Sequence, residues 1–420
     1  MTQEERELEV LSVIETLEKT DKNKVKQTIE NCVKVLRYDS TLSDAIKRND
    51  LTGRMDVVKE LPWEREGVPF TDTDFNQICL YLERYYSLTN DKVIRKAIDI
   101  VSSTNHYHPI RNALSALTWD GTERIEELFP RYLGAERSAY VTAVTKLFML
   151  GAINRVFHPG CKFETMLCIV GPQGAGKSTL FRFLALEDEW FSDDLRRIED
   201  DNVYRKLQGH WIIEMAEMLA TSNAKSIEEI KSFISRQKDT YKVPYELHPA
   251  DRPRQCVFVG TSNSMSFLPF DRTGNRRFLP LLVEDREDVV HPLTNETECR
   301  EFVRQCWAEA MHIYNSGDYS LAMPKELEAT VRELQKEFMP EDTKTGIVQA
   351  WLDRCAEEYV CSRMIFDLAF HKEGLEPTRK ELEEINSIMR DGVSGWGPAS
   401  THRFPFYGIQ RAWKKEKSNL

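Results

Sequence analysis

Residues 171–179 read Gly-Pro-Gln-Gly-Ala-Gly-Lys-Ser-Thr. They meet every fixed position of the P-loop pattern G-x-x-x-x-G-K-[ST]. The preceding run, Met166-Leu167-Cys168-Ile169-Val170, is apolar and strand-like. The following run, Leu180-Phe181-Arg182-Phe183-Leu184, suits a helix. Strand, loop and helix in that order are the setting the pattern needs. The small residues Gly171, Gly174, Ala175 and Gly176 let backbone N–H groups close around phosphate oxygens, and the helix N-terminus adds positive potential. Lys177 then reaches the β- and γ-phosphates, and Ser178, followed by Thr179, sets a hydroxyl on Mg2+. The competing reading is a plain Gly-rich turn between strand and helix. The ordered context favours a nucleoside triphosphate site, with ATP and Mg2+ as the expected cofactors.

Such a site also needs a carboxylate for the metal and a group that orients water. Trp211-Ile212-Ile213-Glu214 is an apolar run ending in an acid, the Walker B arrangement, and Glu217 lies three residues on. Glu214 is assigned to Mg2+ and Glu217 to the attacking water. The exchange of these roles stays open, and Glu217 also reads as a surface acid. Val257-Phe258-Val259-Gly260-Thr261-Ser262-Asn263 is a further strand ending in small polar residues. Asn263 is the candidate sensor of the γ-phosphate or the lytic water, although Thr-Ser-Asn is also good turn chemistry. Arg276 and Arg277 precede another apolar run. They read either as a solvated pair or as the source of an arginine finger, which stabilises charge on the transferring phosphoryl group. A finger acting from a neighbouring subunit requires an oligomer.

Composition bounds the rest. The chain has 420 residues, 41% hydrophobic and 30% charged, with a formal net charge of −11. That length allows two or three domains of ordinary soluble composition. No apolar stretch is long enough to span a bilayer, and the acidic N-terminus lacks the apolar core of a signal peptide. A cytoplasmic location, in a bacterial host cell, is expected. The nine cysteines are scattered with no C-x-x-C pair, which argues against a disulfide frame or a zinc site. Net acidity argues against a protein that coats nucleic acid but leaves room for local basic surfaces. Residues 231–254 carry Lys231, Arg236, Lys238, Lys242, Arg252 and Arg254 against three acids. Residues 401–420 carry Arg403, Arg411, Lys414, Lys415 and Lys417 against Glu416. In both, aromatic residues interleave with the charges, a mixture that suits single-stranded nucleic acid. A solvated basic face, or the core of a small domain, is the alternative.

The chain divides by texture. Residues 1–108 have helical periodicity, and residues 109–160 form a helical lead-in. The core spans 161–285, where apolar strands at 166–170, 211–215, 256–260 and 278–283 alternate with helical stretches. That alternation predicts an α/β fold with a parallel sheet covered on both faces. A helical extension follows at 286–340, then a separate C-terminal module at 341–420.

Taken in order, several stretches resemble the virulence-associated protein E family of P-loop ATPases, which is related to superfamily-three helicases and phage-type primase-helicases. They are His108-Pro109-Ile110-Arg111-Asn112, Trp119-Asp120-Gly121, His158-Pro159-Gly160-Cys161-Lys162, the loop at 171–179, Trp211 to Glu217, Lys231 to Tyr245, Gly260 to Asn263, and Gly274 to Phe278. The resemblance implies an AAA+-like ATPase core, assembled as a hexamer-type ring in which one subunit's arginine completes its neighbour's site. It implies a DNA-contacting hairpin between Walker B and Asn263, with Lys231, Lys238, Tyr241 and Lys242 as the contacts and Lys238 and Lys242 foremost. It implies a winged-helix-like C-terminal module. The function it implies is an ATP-driven helicase or translocase on single-stranded or forked DNA, in replication of a phage, plasmid or pathogenicity island. Two points depart from the family. Walker B ends in Glu-x-x-Glu instead of adjacent acids, and residues 1–110 are too short for a primase domain, so a separate primase or initiator protein is the expected partner. The rival readings are an ATP-gated origin-binding initiator or loader, and a small-molecule P-loop kinase.

Overall fold

The fold is built on a buried parallel sheet, preceded by a helical region with a small sheet and followed by a module that ends in a long hairpin. The computed structural model describes residues 3–195, 198, 203–218, 227–241, 250–268 and 275–416. No helix among them is long and apolar enough to cross a membrane.

In the N-terminal region the helices Gln3–Glu15, Ile29–Tyr38, Asp72–Tyr86 and Asp91–Ser102 pack through Val13, Leu36, Ile78, Leu82 and Ile94. Thr28, Thr71 and Asn90 cap three of them, each accepting the N–H of the residue three ahead. Asp39 is fully buried and accepts hydrogen bonds from Tyr81 Oη at 2.8 Å and Tyr86 Oη at 2.6 Å, with Arg6 Nη2 at 2.6 Å. That network fastens the first helix to the third. The region also holds a sheet: β1 (Ile46–Asn49) pairs antiparallel with β2 (Met55–Val57) and parallel with β3 (His106–Tyr107). Strands of two to four residues are too short to show alternation, so helical periodicity dominates the sequence there.

The central sheet contains β4 (Met166–Val170), β5 (Phe191–Ser192), β6 (Ile212–Met215), β9 (Val257–Ser262) and β10 (Phe278–Leu282). Between β6 and β9, β7 (Lys238–Tyr241) and β8 (Ala250–Pro253) form a separate antiparallel hairpin. The order across the sheet is β10-β4-β9-β6-β5, and all neighbours run parallel. The four expected core strands are present; β5, two residues long, adds an edge. Alternate side chains enter opposite layers. Leu167, Ile169, Val259 and Leu281 join the helices Ala139–Phe157, Lys177–Leu184 and Glu296–Ser316, while Met166, Cys168, Phe258 and Phe278 pack with Phe233 and Phe338. Burial on both faces is why these strands read as continuous apolar runs.

The C-terminal module carries the helices Thr343–Arg354 and Arg379–Ser387 and a sheet of β11 (Tyr359–Val360), β12 (Trp396–Phe404) and β13 (Gly408–Lys415) in the order β11-β13-β12. Its core includes Val348, Leu352, Ile365, Ile388, Trp396 and Trp413.

Gly151 lies in the helix Ala139–Phe157 beneath the ring of Phe163, and a Cβ there would stand 2.2 Å from two ring atoms. Alanine would gain about 1 kcal/mol of helix propensity. It would also overpack a site whose ring is 6% exposed, at about 1–3 kcal/mol. Gly151→Ala is therefore expected to lower the urea midpoint of unfolding; a raised midpoint would show that the Phe163 ring swings aside freely.

Candidate nucleotide site

The loop 171–176 leaves the carboxyl end of β4, where open parallel sheets bind ligands. Gly176 has φ +86°, and a Cβ on it would meet Pro292 Cδ at 2.7 Å, so both its conformation and its neighbour demand glycine. It stands at the N-cap of the helix Lys177–Leu184 with no side-chain cap, which leaves the first N–H groups of the helix turned toward the loop.

Five side chains converge on this loop. Lys177 Nζ donates to Gly171 O and Pro172 O, each at 2.7 Å, and to Asn263 Oδ1 at 2.8 Å. Burial lowers the Lys177 pKa, against the pull of Glu217 and Glu214. Ser178 Oγ donates to Glu214 Oε1 at 2.7 Å, and Thr261 Oγ1 donates to the same oxygen at 2.5 Å. Glu214 is fully buried at the end of β6, and its Oε2 has no partner. Burial pushes the Glu214 carboxyl up, opposed by the two hydroxyls. A hydroxyl beside a carboxylate with one unpartnered oxygen is the hard oxygen donor set that Mg2+ prefers. Ser178 and Glu214 therefore fit that ion.

Glu217 stands apart from Glu214. It is exposed, has φ +51°, and accepts from Asn263 Nδ2 at 2.7 Å. A left-handed non-glycine residue costs about 1–2 kcal/mol, and such strain gathers at functional sites. Met218 follows at φ +50°, and this double kink after β6 turns Glu217 toward Asn263. Asn263 consequently bridges Lys177 and Glu217, its carbonyl taking one and its amide the other.

Arg276 and Arg277 lie elsewhere. Arg277 O accepts from Met166 N at 2.7 Å, at the start of β4. The five residues of β4 separate that point from the loop, about 16 Å at strand rise. Neither arginine is brought together with the phosphate loop of its own chain. Arg276 pairs with Glu164 at 3.0 Å and its side chain is 72% exposed. Arg277 is tied to Glu164 at 3.5 Å and to Ser235 Oγ at 2.8 Å, and is 16% exposed.

Of the expected DNA contacts, Lys231 lies on the helix Ile227–Ser235 and Lys238 begins β7, paired with Asp251. Tyr241 ends β7, its side chain outside the described residues; Lys242 also lies outside them. Arg254, counted among the local basic residues, is instead buried. It makes a two-pronged pair with Asp239, at 2.9 and 2.8 Å, and also donates to Phe233 O. This pair fastens the base of the β7–β8 hairpin.

Sequence reasoning missed three residues, Thr261 and His291 at the site and Glu164 beside the arginines. Thr261 was visible only as part of a polar strand end. Glu164 carried no motif. His291 accepts from Leu293 N through Nδ1 at 3.2 Å, so its Nε2 bears the proton and donates to Gly174 O at 3.1 Å. The segment after β10 thereby rests on the phosphate loop.

The sequence matches the model of the virulence-associated protein E-like domain over residues 114–340. The chain belongs to that family. The matched span holds the whole central sheet of this VapE-like chain together with the phosphate loop. Among solved structures it is similar to the A form apo structure of the NrS-1 C-terminal region, at 12% identity and TM-score 0.48, covering 93% of this chain and 100% of that one. A second apo structure of that region gives 13% identity and TM-score 0.48 over the same shares. No curated protein sequence matches the chain.

Removing Arg254 would strand the Asp239 carboxylate in the interior, at about 3–5 kcal/mol. Arg254→Met is expected to lower the thermal midpoint sharply, and the double variant with Asp239→Leu to recover most of the loss. Equal melting of the single variant and the parent would show that the pair does not hold the hairpin base.

Proposed function

We propose that this chain is an ATP-hydrolysing DNA helicase or translocase of the replication class, working with Mg2+ and completing its catalytic sites between copies of itself. The observation that carries this reading is the convergence of Lys177, Ser178, Glu214, Glu217 and Asn263 at the carboxyl edge of the sheet, with the arginine pair at the opposite edge. The strand order β10-β4-β9-β6-β5 supports an AAA+-like core.

Each residue has a role in this reading. The backbone N–H groups of Gly174 to Ser178 bind the phosphates, and Lys177 exchanges its carbonyl partners for the β- and γ-phosphate oxygens. Ser178 and Glu214 hold Mg2+, which supplies charge neutralisation at the phosphates. Their contact and the buried Oε2 favour Glu214 over Glu217 for the metal. Glu217 accepts the proton of the attacking water, and Asn263 positions that water once Lys177 has turned to the phosphate. Arg276 is the better finger, being the more exposed and the less tied, and it serves the neighbouring subunit in a ring. The β7–β8 hairpin contacts single-stranded DNA. The C-terminal run of the helix Thr343–Arg354, β11, the helical turns Ser362–Met364 and Ile365–Ala369, the helix Arg379–Ser387 and the β12–β13 hairpin supports a winged-helix module.

A second reading, an ATP-gated initiator or loader, is favoured by one contact. Asn263 holds Glu217 and Lys177 at once, a resting arrangement that would make turnover slow. Strand displacement on a forked duplex separates the two: a helicase unwinds it with ATP, and a loader binds it without unwinding.

Purified protein is expected to hydrolyse ATP, to do so at least several-fold faster with single-stranded DNA, and to lose hydrolysis with Lys177→Ala. Turnover that ignores DNA, or survives Lys177→Ala, contradicts the proposal.

A further inference from the structure

The hairpin β12–β13 is a surface that the nucleotide chemistry leaves unused. Between Trp396 and Lys415 it carries Arg403, Arg411, Lys414 and Lys415 and no acid, in a chain of net charge −11. Register sets the faces. Arg403 lies opposite Ile409 and Thr401 opposite Arg411, so these four share one face. Phe404 and Ala412 lie on the other face and are buried there with Cys361. The outward face is therefore two arginines, a threonine and an isoleucine, all exposed. The turn beyond it projects Phe406, 93% exposed, next to Ile409 at 70%. Arg403 and Arg411 enter no ion pair among the described residues. Arg411 also lines a cleft with Arg390, Asn386 and Glu383, where the last helical turns meet the hairpin; Glu383 is itself paired with Arg379.

We propose that this hairpin is a binding surface for duplex DNA, which it grips by phosphates and reads by shape instead of base sequence. Arg403 and Arg411, with Arg390 beside them, neutralise phosphates; Phe406 and Ile409 at the tip lie along the floor of a groove. Two observations select this occupant and mode. Single-stranded DNA is held on platforms of stacked rings. Here the rings behind the hairpin are already engaged, His402 lying flat on Tyr359 at 4.5 Å and edge-on to Phe404. Sequence reading by a helix in the major groove needs a face of donors. The helix Arg379–Ser387 instead presents Glu381, Glu383 and Glu384, which pair with Lys372, Arg379 and Lys344. On the hairpin Lys414 is paired with Glu358 at 3.3 Å, and Arg403 and Arg411 are the charges left unspent among the described residues.

The test measures binding of the full chain, without nucleotide, to short blunt duplexes of two unrelated sequences by fluorescence anisotropy across a salt series. The protein is expected to bind both sequences equally. The double variant R403E/R411E should lose about tenfold or more in affinity, and its slope of log K against log salt should fall by about two. Phe406→Ala should weaken binding with the slope unchanged. The milder pair R403Q/R411Q, with a melting midpoint equal to the parent's, guards against a folding defect. Basal ATP hydrolysis should not change in any of these variants. Unchanged duplex affinity and slope in the double variants overturn the proposal. A loss confined to single-stranded DNA or to anionic vesicles also overturns it. Because no nucleotide is present, failure of the ATPase reading would leave this result standing.

Discussion

A carboxylate buried at the end of a strand sets the terms of the nucleotide site. An ionised group in a protein interior costs several kcal/mol unless its oxygens are satisfied. Glu214 has only one oxygen satisfied, by the hydroxyls of Ser178 and Thr261. These groups come from three elements that meet only because β4, β9 and β6 run parallel in one register, with Cys168 beside Gly260 and Glu214 beside Val259. The remaining oxygen has no partner, which is rare for a buried acceptor. The sheet thus holds a carboxyl group in place beside the loop and leaves one of its oxygens open.

The same parallel arrangement divides the chemistry between two edges. Every strand delivers its carboxyl end to one edge, where the loop, Glu214 and Asn263 gather. The arginines precede β10 and so fall at the other edge. Glu164 gathers both of them beside Ser235, at the foot of the helix that leads into the β7–β8 hairpin. Hairpin and arginine pair therefore share one polar cluster. In the proposed function, that connection is a short physical route from the hairpin to the arginines.

Much of this was legible in the residues. The strands β4, β6, β9 and β10 announce themselves as apolar runs because both of their faces are buried, and the glycine-rich pattern falls, as its strand–helix setting requires, on the loop between β4 and the helix Lys177–Leu184. The residues that tune the site were harder to read. Glu217 was singled out by its spacing from Glu214, but the backbone kink that turns it toward Asn263 is something no side-chain pattern encodes. Arg254 counted as surface charge because its partner Asp239 sits fifteen residues away, across a hairpin whose pairing is set by tertiary contact. His291 and Glu164 act through contacts with segments distant in the chain, and spacing along the sequence carries no trace of those. The two-residue strand β5 and the small sheet of β1 to β3 are too short for periodicity to register.

The central claim is that one subunit's arginine completes the next subunit's site. It is tested most directly by mixing Lys177→Ala protein with Arg276→Ala protein, each inactive alone, and measuring ATP hydrolysis. A Lys177→Ala subunit still offers its arginine, and an Arg276→Ala subunit still offers its loop, so mixed assemblies should regain a substantial fraction of the wild-type rate. A mixture as inactive as its two components, under conditions where the subunits exchange, would contradict the account.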